Sequence, residues 1–350
     1  MDRPAAAPAK DEGLVPGLHP AYFALVMATG IVSIATHLLE IPIVPKALFA
    51  LNVLFYPSLW VLTLVRALRY RDRLFADFAH HGRAVGFFTM VAATCVLGSQ
   101  CLIIAEAPGV AFWFWVLGIA LYVVLVYAVF TILTVKEQKP TLAEGINGGW
   151  LVSVVAAQSV AVLGAQLAGT SAQPDRILFF CLVMWLGGGM LYLWIISLIF
   201  YRYTFFTMVP SDLAPPYWIN MGAAAISTLA GTMLIASSAN SPVLVSVLPF
   251  VRGLTLMWWA TATWWIPMLL VLGLWRHIYR RFPLRYDPLY WGAVFPLGMY
   301  TAATARLVRA IDAPYLWFIP QASVFVALVA WTAVFAGMIG WFVRRIPARS

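Results

Sequence analysis

The chain has 350 residues, 63% of them hydrophobic and only 10% charged, with a mean hydropathy of +0.88. That leaves too little polar surface to cover a soluble globule of this size, so the chain reads as an integral membrane protein. The net charge of +9 points to no nucleic-acid partner, because Arg and Lys fall in short clusters between apolar runs and form no continuous basic face.

Residues 1–18 are Pro/Ala-rich with charges of both signs and read as a cytoplasmic tail; the apolar run that follows has no small-residue cleavage pattern, so no signal peptide is expected. Ten apolar runs of bilayer-spanning length follow, near 20–38, 46–68, 84–105, 111–135, 146–168, 177–201, 217–236, 247–275, 289–309 and 316–342. They make 19–342 one transmembrane transport domain, with a second cytoplasmic tail over 343–350. Positive charge follows every even-numbered run: Arg66 to Arg73, Lys136 and Lys139, Arg202, Arg276 to Arg285, and Arg344, Arg345 and Arg349. The positive-inside rule then puts both termini in the cytoplasm of a bacterial inner membrane.

Odd-numbered runs are rich in Gly, Ala, Ser and Thr, and even-numbered ones in Leu, Trp, Phe and Tyr. Helix contacts favour small side chains and lipid accepts bulky ones. The expected fold is therefore an all-α membrane protein of ten transmembrane helices, arranged as five helical hairpins around a central pore, odd helices inside and even helices outside. An ordinary ten-helix bundle of buried and peripheral helices is the plainer alternative.

The sequence offers little for catalysis. His80-His81 is the only adjacent pair among five scattered histidines, the three cysteines Cys95, Cys101 and Cys181 sit in apolar runs without CxxC spacing, and no hydrolase elbow, zincin or Walker motif is present. Neither a metal nor a cofactor is expected, nor an enzyme. Glu40, Glu106, Glu137, Glu144, Asp175, Asp212, Asp287 and Asp312 fall at segment ends or in loops, so no carboxylate of this set stands at the bilayer centre to relay cations. His19 and Arg83 lie near the starts of odd segments, and Arg306 lies toward the end of the ninth. A passage with basic mouths and no internal acid suits an anion, while the same arginines also fit ordinary snorkelling.

The stretch Tyr290–Thr304, YWGAVFPLGMYTAAT, combines apolar length with small and hydroxylated residues on both sides of Phe295-Pro296. Two readings fit it: a pore-lining helix that Pro296 bends and Phe295 can plug, or a kinked packing helix.

HPAYFALVMATGIVSIA (19–35), RAVGFFTMVAATCVLGSQ (83–100), WIISLIFYRYTF (194–205) and WGAVFPLGMYTAAT (291–304) resemble the signature segments of the tellurite-resistance/dicarboxylate transporter family. That family is related to the plant slow anion channels, the fungal malic acid transporter and the yeast sulfite pump. The resemblance runs over about 19–342. It implies a pore through each subunit of a homotrimer, with Phe295 at the position of the pore-closing Phe and Pro296 as the kink of the gate helix. It also implies a small anionic substrate: C4-dicarboxylates such as malate first, with sulfite or tellurite efflux or an inorganic-anion channel as the alternative. In a proton-coupled carrier, His19, His37 or the substrate's own carboxyl would carry the proton. A departure is that Pro296 is the only mid-helix proline of the inner set, where the channel members have several. A non-transporting receptor or scaffold is the reading from another class, and the short loops and tails offer it no reporting domain.

Overall fold

The computed structural model describes Gly13 and residues 15–344. Most of the predicted tail 1–18, and Arg345 and Arg349 of the predicted tail 343–350, lie outside the described residues. Ten long helices run through the rest: α1 (Pro20–Leu38), α2 (Val44–Arg69), α3 (His81–Ile103), α4 (Pro108–Val135), α5 (Gly148–Thr170), α6 (Pro174–Phe205), α7 (Pro215–Ala236), α8 (Pro242–Tyr279), α9 (Trp291–Ala310) and α10 (Pro314–Val343). Prolines in the first turn start each outer helix: Pro45, Pro108, Pro174, Pro242 and Pro314. A proline there loses no helical hydrogen bond, because the first amides have no partner in any case.

The alternation of small and bulky helices becomes an alternation of burial. In the most apolar stretch of each helix, 83% of residues are buried in α1, 89% in α3 and 94% in both α5 and α7. The share is 22% in α2, α4, α8 and α10, and 39% in α6. Among the described residues nine helices are long and apolar enough to cross a membrane, and α9 is not among them. Its Thr301, Thr304, Arg306 and Arg309 lower its hydropathy, yet 15 of its 20 residues are buried, because α1, α7 and α10 pack around it. Each inner helix packs on the outer helix that follows it. The inner helices also close on themselves, α1 on α3, α3 on α5, α5 on α7, α7 on α9 and α9 back on α1.

Polar side chains lock the layers together. One aromatic from each outer helix reaches the inner helix of the next pair: Tyr56 Oη with Thr94 Oγ1 (2.8 Å), Trp115 Nε1 to Val160 O (3.0 Å), Trp185 Nε1 to Ser227 O (2.8 Å), Trp259 Nε1 to Thr304 Oγ1 (3.1 Å) and Trp331 Nε1 to Thr29 Oγ1 (3.0 Å). The bulky residues of the outer helices are thus not all lipid-facing. Several wedge inward against glycines: a Cβ on Gly164 would stand 2.7 Å from the Trp115 indole, and one on Gly189 2.9 Å from Trp258. Buried hydroxyls of the inner helices return to carbonyls one turn back, as in Thr94 to Met90 and Thr228 to Ala224, so they are satisfied where no water reaches.

Candidate functional site

A short 3-10 turn stands at or near the start of every inner helix: Pro20–Phe23, Val85–Phe87, Gly148–Leu151, Pro215–Trp218 and Pro288–Tyr290. Counting from the first residue of each turn puts the five helices in a common register. One residue on stand Ala21, Gly86, Gly149, Pro216 and Leu289; four residues on stand Ala24, Thr89, Val152, Ile219 and Gly292. All ten line a single cavity of about 90 Å³, the vestibule. Eleven residues on stand Ile31, Val96, Ser159, Ile226 and Met299, all lining a second, far cavity of about 20 Å³.

Between them, seven residues on, lies the layer of Met27, Ala92, Val155, Gly222 and Phe295. Met27 still borders the vestibule; Phe295 lines neither cavity and is 0% exposed. The spacing Gly292, Phe295, Met299, Arg306 keeps to one face of a 3.6-residue helix. Phe295 therefore sits on the stripe of α9 that borders the vestibule at one end and the far cavity at the other. It is the bulkiest side chain of its layer.

The vestibule is lined by the N-terminal turns of five helices. Caps fix those turns: His19 Nδ1 accepts from Ala21 N (3.0 Å), Asn147 Oδ1 from Gly149 N (2.8 Å) and Asp287 Oδ1 from Leu289 N (2.7 Å), while His80 Nδ1 takes Gly82 N (3.2 Å) at the start of α3. Ala214 has no side-chain acceptor, and its carbonyl takes Tyr217 N instead (3.0 Å). The positive ends of the helix dipoles that meet at the vestibule favour an anion. No carboxylate lines either cavity among the described residues.

Cations that the sequence presents only as topology markers hold these turns in place. Lys136 Nζ donates to Ala79 O (2.8 Å), Arg202 Nη1 to Ile146 O (3.1 Å) and Arg276 Nη1 to Leu213 O (2.6 Å). Each acceptor is the residue just before a cap position, and each donor ends the outer helix of the same pair. Arg202 also donates to the Tyr217 hydroxyl, on the vestibule wall.

The predicted site residues separate. His19 caps α1 and lines the vestibule. Desolvation, then the neighbouring Arg83, hold its pKa at about 3, so its imidazole is neutral and takes up no second proton at physiological pH. Arg83 is outside the vestibule lining: its Nε and Nη2 meet Asp77 Oδ1 and Oδ2 at 2.5 and 3.2 Å, and Arg66 Nη1 meets Oδ2 at 2.7 Å. Arg306 lines the far cavity. Pro296 packs on Gly222. Sequence reasoning passed over Asp77, which lies amid basic residues on the short helix Arg71–Phe78, and the Ser99–Gln166 hydrogen bond (2.8 Å) between α3 and α5. Among the described residues no group of three or more His, Cys, Asp or Glu is placed to hold a metal ion.

Comparison with known proteins agrees with a transport protein. An uncharacterized transporter of Methanocaldococcus jannaschii is 28% identical over 295 residues, 81% of this chain and 82% of its own. A sulfite efflux pump of Arthroderma benhamiae is 23% identical over 352 residues, 92% of this chain and 90% of its own. An uncharacterized membrane protein of Mycobacterium tuberculosis is 38% identical over 149 residues, 43% of this chain and 75% of its own. The SLAC1 family model, described as voltage-dependent anion channel, matches residues 17–339, from the cap of the first helix into the last helix. The chain belongs to the SLAC1 family of anion channels and transporters, and not to any class of enzyme.

Proposed function

We propose that the protein moves small anions through the ring of inner helices, with Phe295 closing the path at the layer between the two cavities and Pro296 setting the bend that presents it. The observation that carries this reading is the common register of the five inner helices, which brings five N-terminal turns to one vestibule. His19 belongs to the vestibule wall as a neutral cap, Arg83 contributes to the field of the mouth beside Asp77, and Arg306 supplies positive charge beyond the constriction.

We rank a compact oxyanion such as sulfite ahead of C4-dicarboxylates. The far cavity holds about 20 Å³, and a relative aligned over 92% of this chain is named a sulfite efflux pump. Passive conduction is favoured over proton coupling, because His19 is held neutral and, among the described residues, no carboxylate lines either cavity. Basic residues after the even helices support cytoplasmic termini in a plasma membrane. Assembly as a homotrimer is carried over from the family. Purified protein in liposomes, assayed with sulfite, nitrate, malate and a cation control, tests the function. Anion uptake that follows the anion gradient and ignores a pH gradient is expected, and movement of cations alone would overturn the reading.

A further inference from the structure

The far cavity holds a polar pair that the constriction and the vestibule do not use. Eighteen residues beyond the first residue of their 3-10 turns, Gln166 of α5 and Arg306 of α9 fall in one layer, with Leu38 and Ile103 as apolar neighbours on the same wall. Arg306 is half-buried and makes no ion pair among the described residues. Its neighbour Arg309 is exposed and stacks over Trp317, 5.1 Å from the ring centroid, as a snorkelling arginine does. Arg306 has no such contact. A guanidinium partly withdrawn from water without a counter-charge is costly unless something anionic meets it.

The amide of Gln166 is turned to suit. Ser99 Oγ donates to Gln166 Oε1 at 2.8 Å, which occupies the carbonyl and leaves the Nε2 hydrogens as the free polar groups. Ser159, on the same wall, spends its hydroxyl proton on Val155 O (2.7 Å). The cavity is thus left with free donors on Arg306 and Gln166, and among the described residues no carboxylate lines it.

We propose that Arg306 and Gln166 form an oxyanion-binding subsite beyond Phe295, with Ser99 as a positioning residue, and that its ligand is a compact oxyanion of the sulfite class. The guanidinium fork matches two oxygens of such an ion, which chloride cannot offer. A space of about 20 Å³ is small, so it favours a compact ion over an extended four-carbon diacid. The place of this subsite on a transport path rests on the function proposed above; its existence as a binding site does not.

Equilibrium binding to the purified protein therefore tests it apart from flux. Sodium sulfite, sodium nitrate, sodium chloride and sodium malate are titrated against the parent and against Arg306→Gln, Arg306→Lys, Gln166→Leu and Ser99→Ala, with binding read from calorimetry and from the shift in melting temperature. Sulfite is expected to bind the parent more tightly than chloride or malate. Arg306→Gln should weaken it about 10- to 100-fold, the worth of a charged hydrogen-bonding group. Arg306→Lys, which keeps the charge and loses the fork, should fall between, and Ser99→Ala should weaken sulfite binding while leaving malate binding unchanged. Sulfite binding equally well to the parent, Arg306→Lys and Gln166→Leu would overturn the subsite, and parent protein that does not distinguish sulfite from chloride would overturn its selectivity. Sulfite binding that depends on Arg306, in protein that moves no anion in liposomes, would uphold the subsite and remove the transport reading alone.

Discussion

Gly222 of α7 lies against Pro296 of α9: a Cβ on the glycine would stand 2.7 Å from the proline Cγ, 3.0 Å from its Cβ and 3.2 Å from its Cα. The ring and backbone of a proline cannot swing aside, so a side chain at 222 must push the two helices apart. Gly222→Ala is expected to cost about 1–3 kcal/mol, and Gly222→Leu to prevent a monodisperse preparation. Melting temperature in detergent and size-exclusion profiles check this. Gly222 shares its layer with Phe295, and Pro296 follows that residue, so under the proposed function a Gly222→Ala protein that folds should also show altered anion flux.

Asp77 holds Arg66 and Arg83 at once, and the two arginines differ in exposure, at 4% and 31% of the side chain. Asp77→Asn leaves the buried Arg66 without its counter-charge, a change expected to cost about 3–5 kcal/mol. Arg83→Gln removes a partly exposed partner and should cost about 1 kcal/mol or less. Thermal denaturation of the two variants side by side reads the difference. Equal losses would mean that Arg83, not Arg66, is the member the structure depends on.

His19 gives the fold a definite acid response. Its folded pKa of about 3 lies below the ordinary 6.5, so the unfolded chain takes up the proton first. The neutral cap therefore contributes in full above pH 6.5, and its contribution is lost as pH falls from 6.5 toward 3. His19→Gln, which keeps an acceptor and removes the titration, should flatten the decline of melting temperature below pH 6.5. Anion flux between pH 6.5 and 8 should show no step due to His19. A flux step near pH 7 that disappears in His19→Gln would make this residue a proton carrier after all.

Much of the architecture is legible in composition, because the same physics acts on both sides. Small residues let inner helices approach, and bulky ones cover the outside, so the contrast between Gly222–Thr232 and Trp258–Trp265 already separates α7 from α8. The inward role of Trp115, Trp185 and Trp331 was not legible, since an indole facing lipid and one donating to a neighbouring helix look alike in one sequence. The turn-forming starts at His19-Pro20 and Asp287-Pro288 could be seen, but not the common register, which needs the 3-10 turns to be located. The charge of Arg83 is legible, but not its compensation by Asp77, which stands on the short helix Arg71–Phe78 ahead of α3. Lys136, Arg202 and Arg276 obey the positive-inside rule and also brace the vestibule turns, a second use that charge patterning does not reveal.

The most direct test is anion flux through Phe295→Ala in liposomes, paired with its melting temperature. Phe295 is fully buried, so its removal should lower the melting temperature and cost up to the roughly 3–5 kcal/mol of a core cavity, while the protein that stays folded should show sulfite and nitrate flux raised at least about 10-fold, equivalent to 1.4 kcal/mol of barrier. Phe295→Leu, which keeps much of the volume, should fall between the parent and Phe295→Ala. A Phe295→Ala protein that conducts no better than the parent, whether it folds well or loses the roughly 3–5 kcal/mol of a core cavity, would contradict the account.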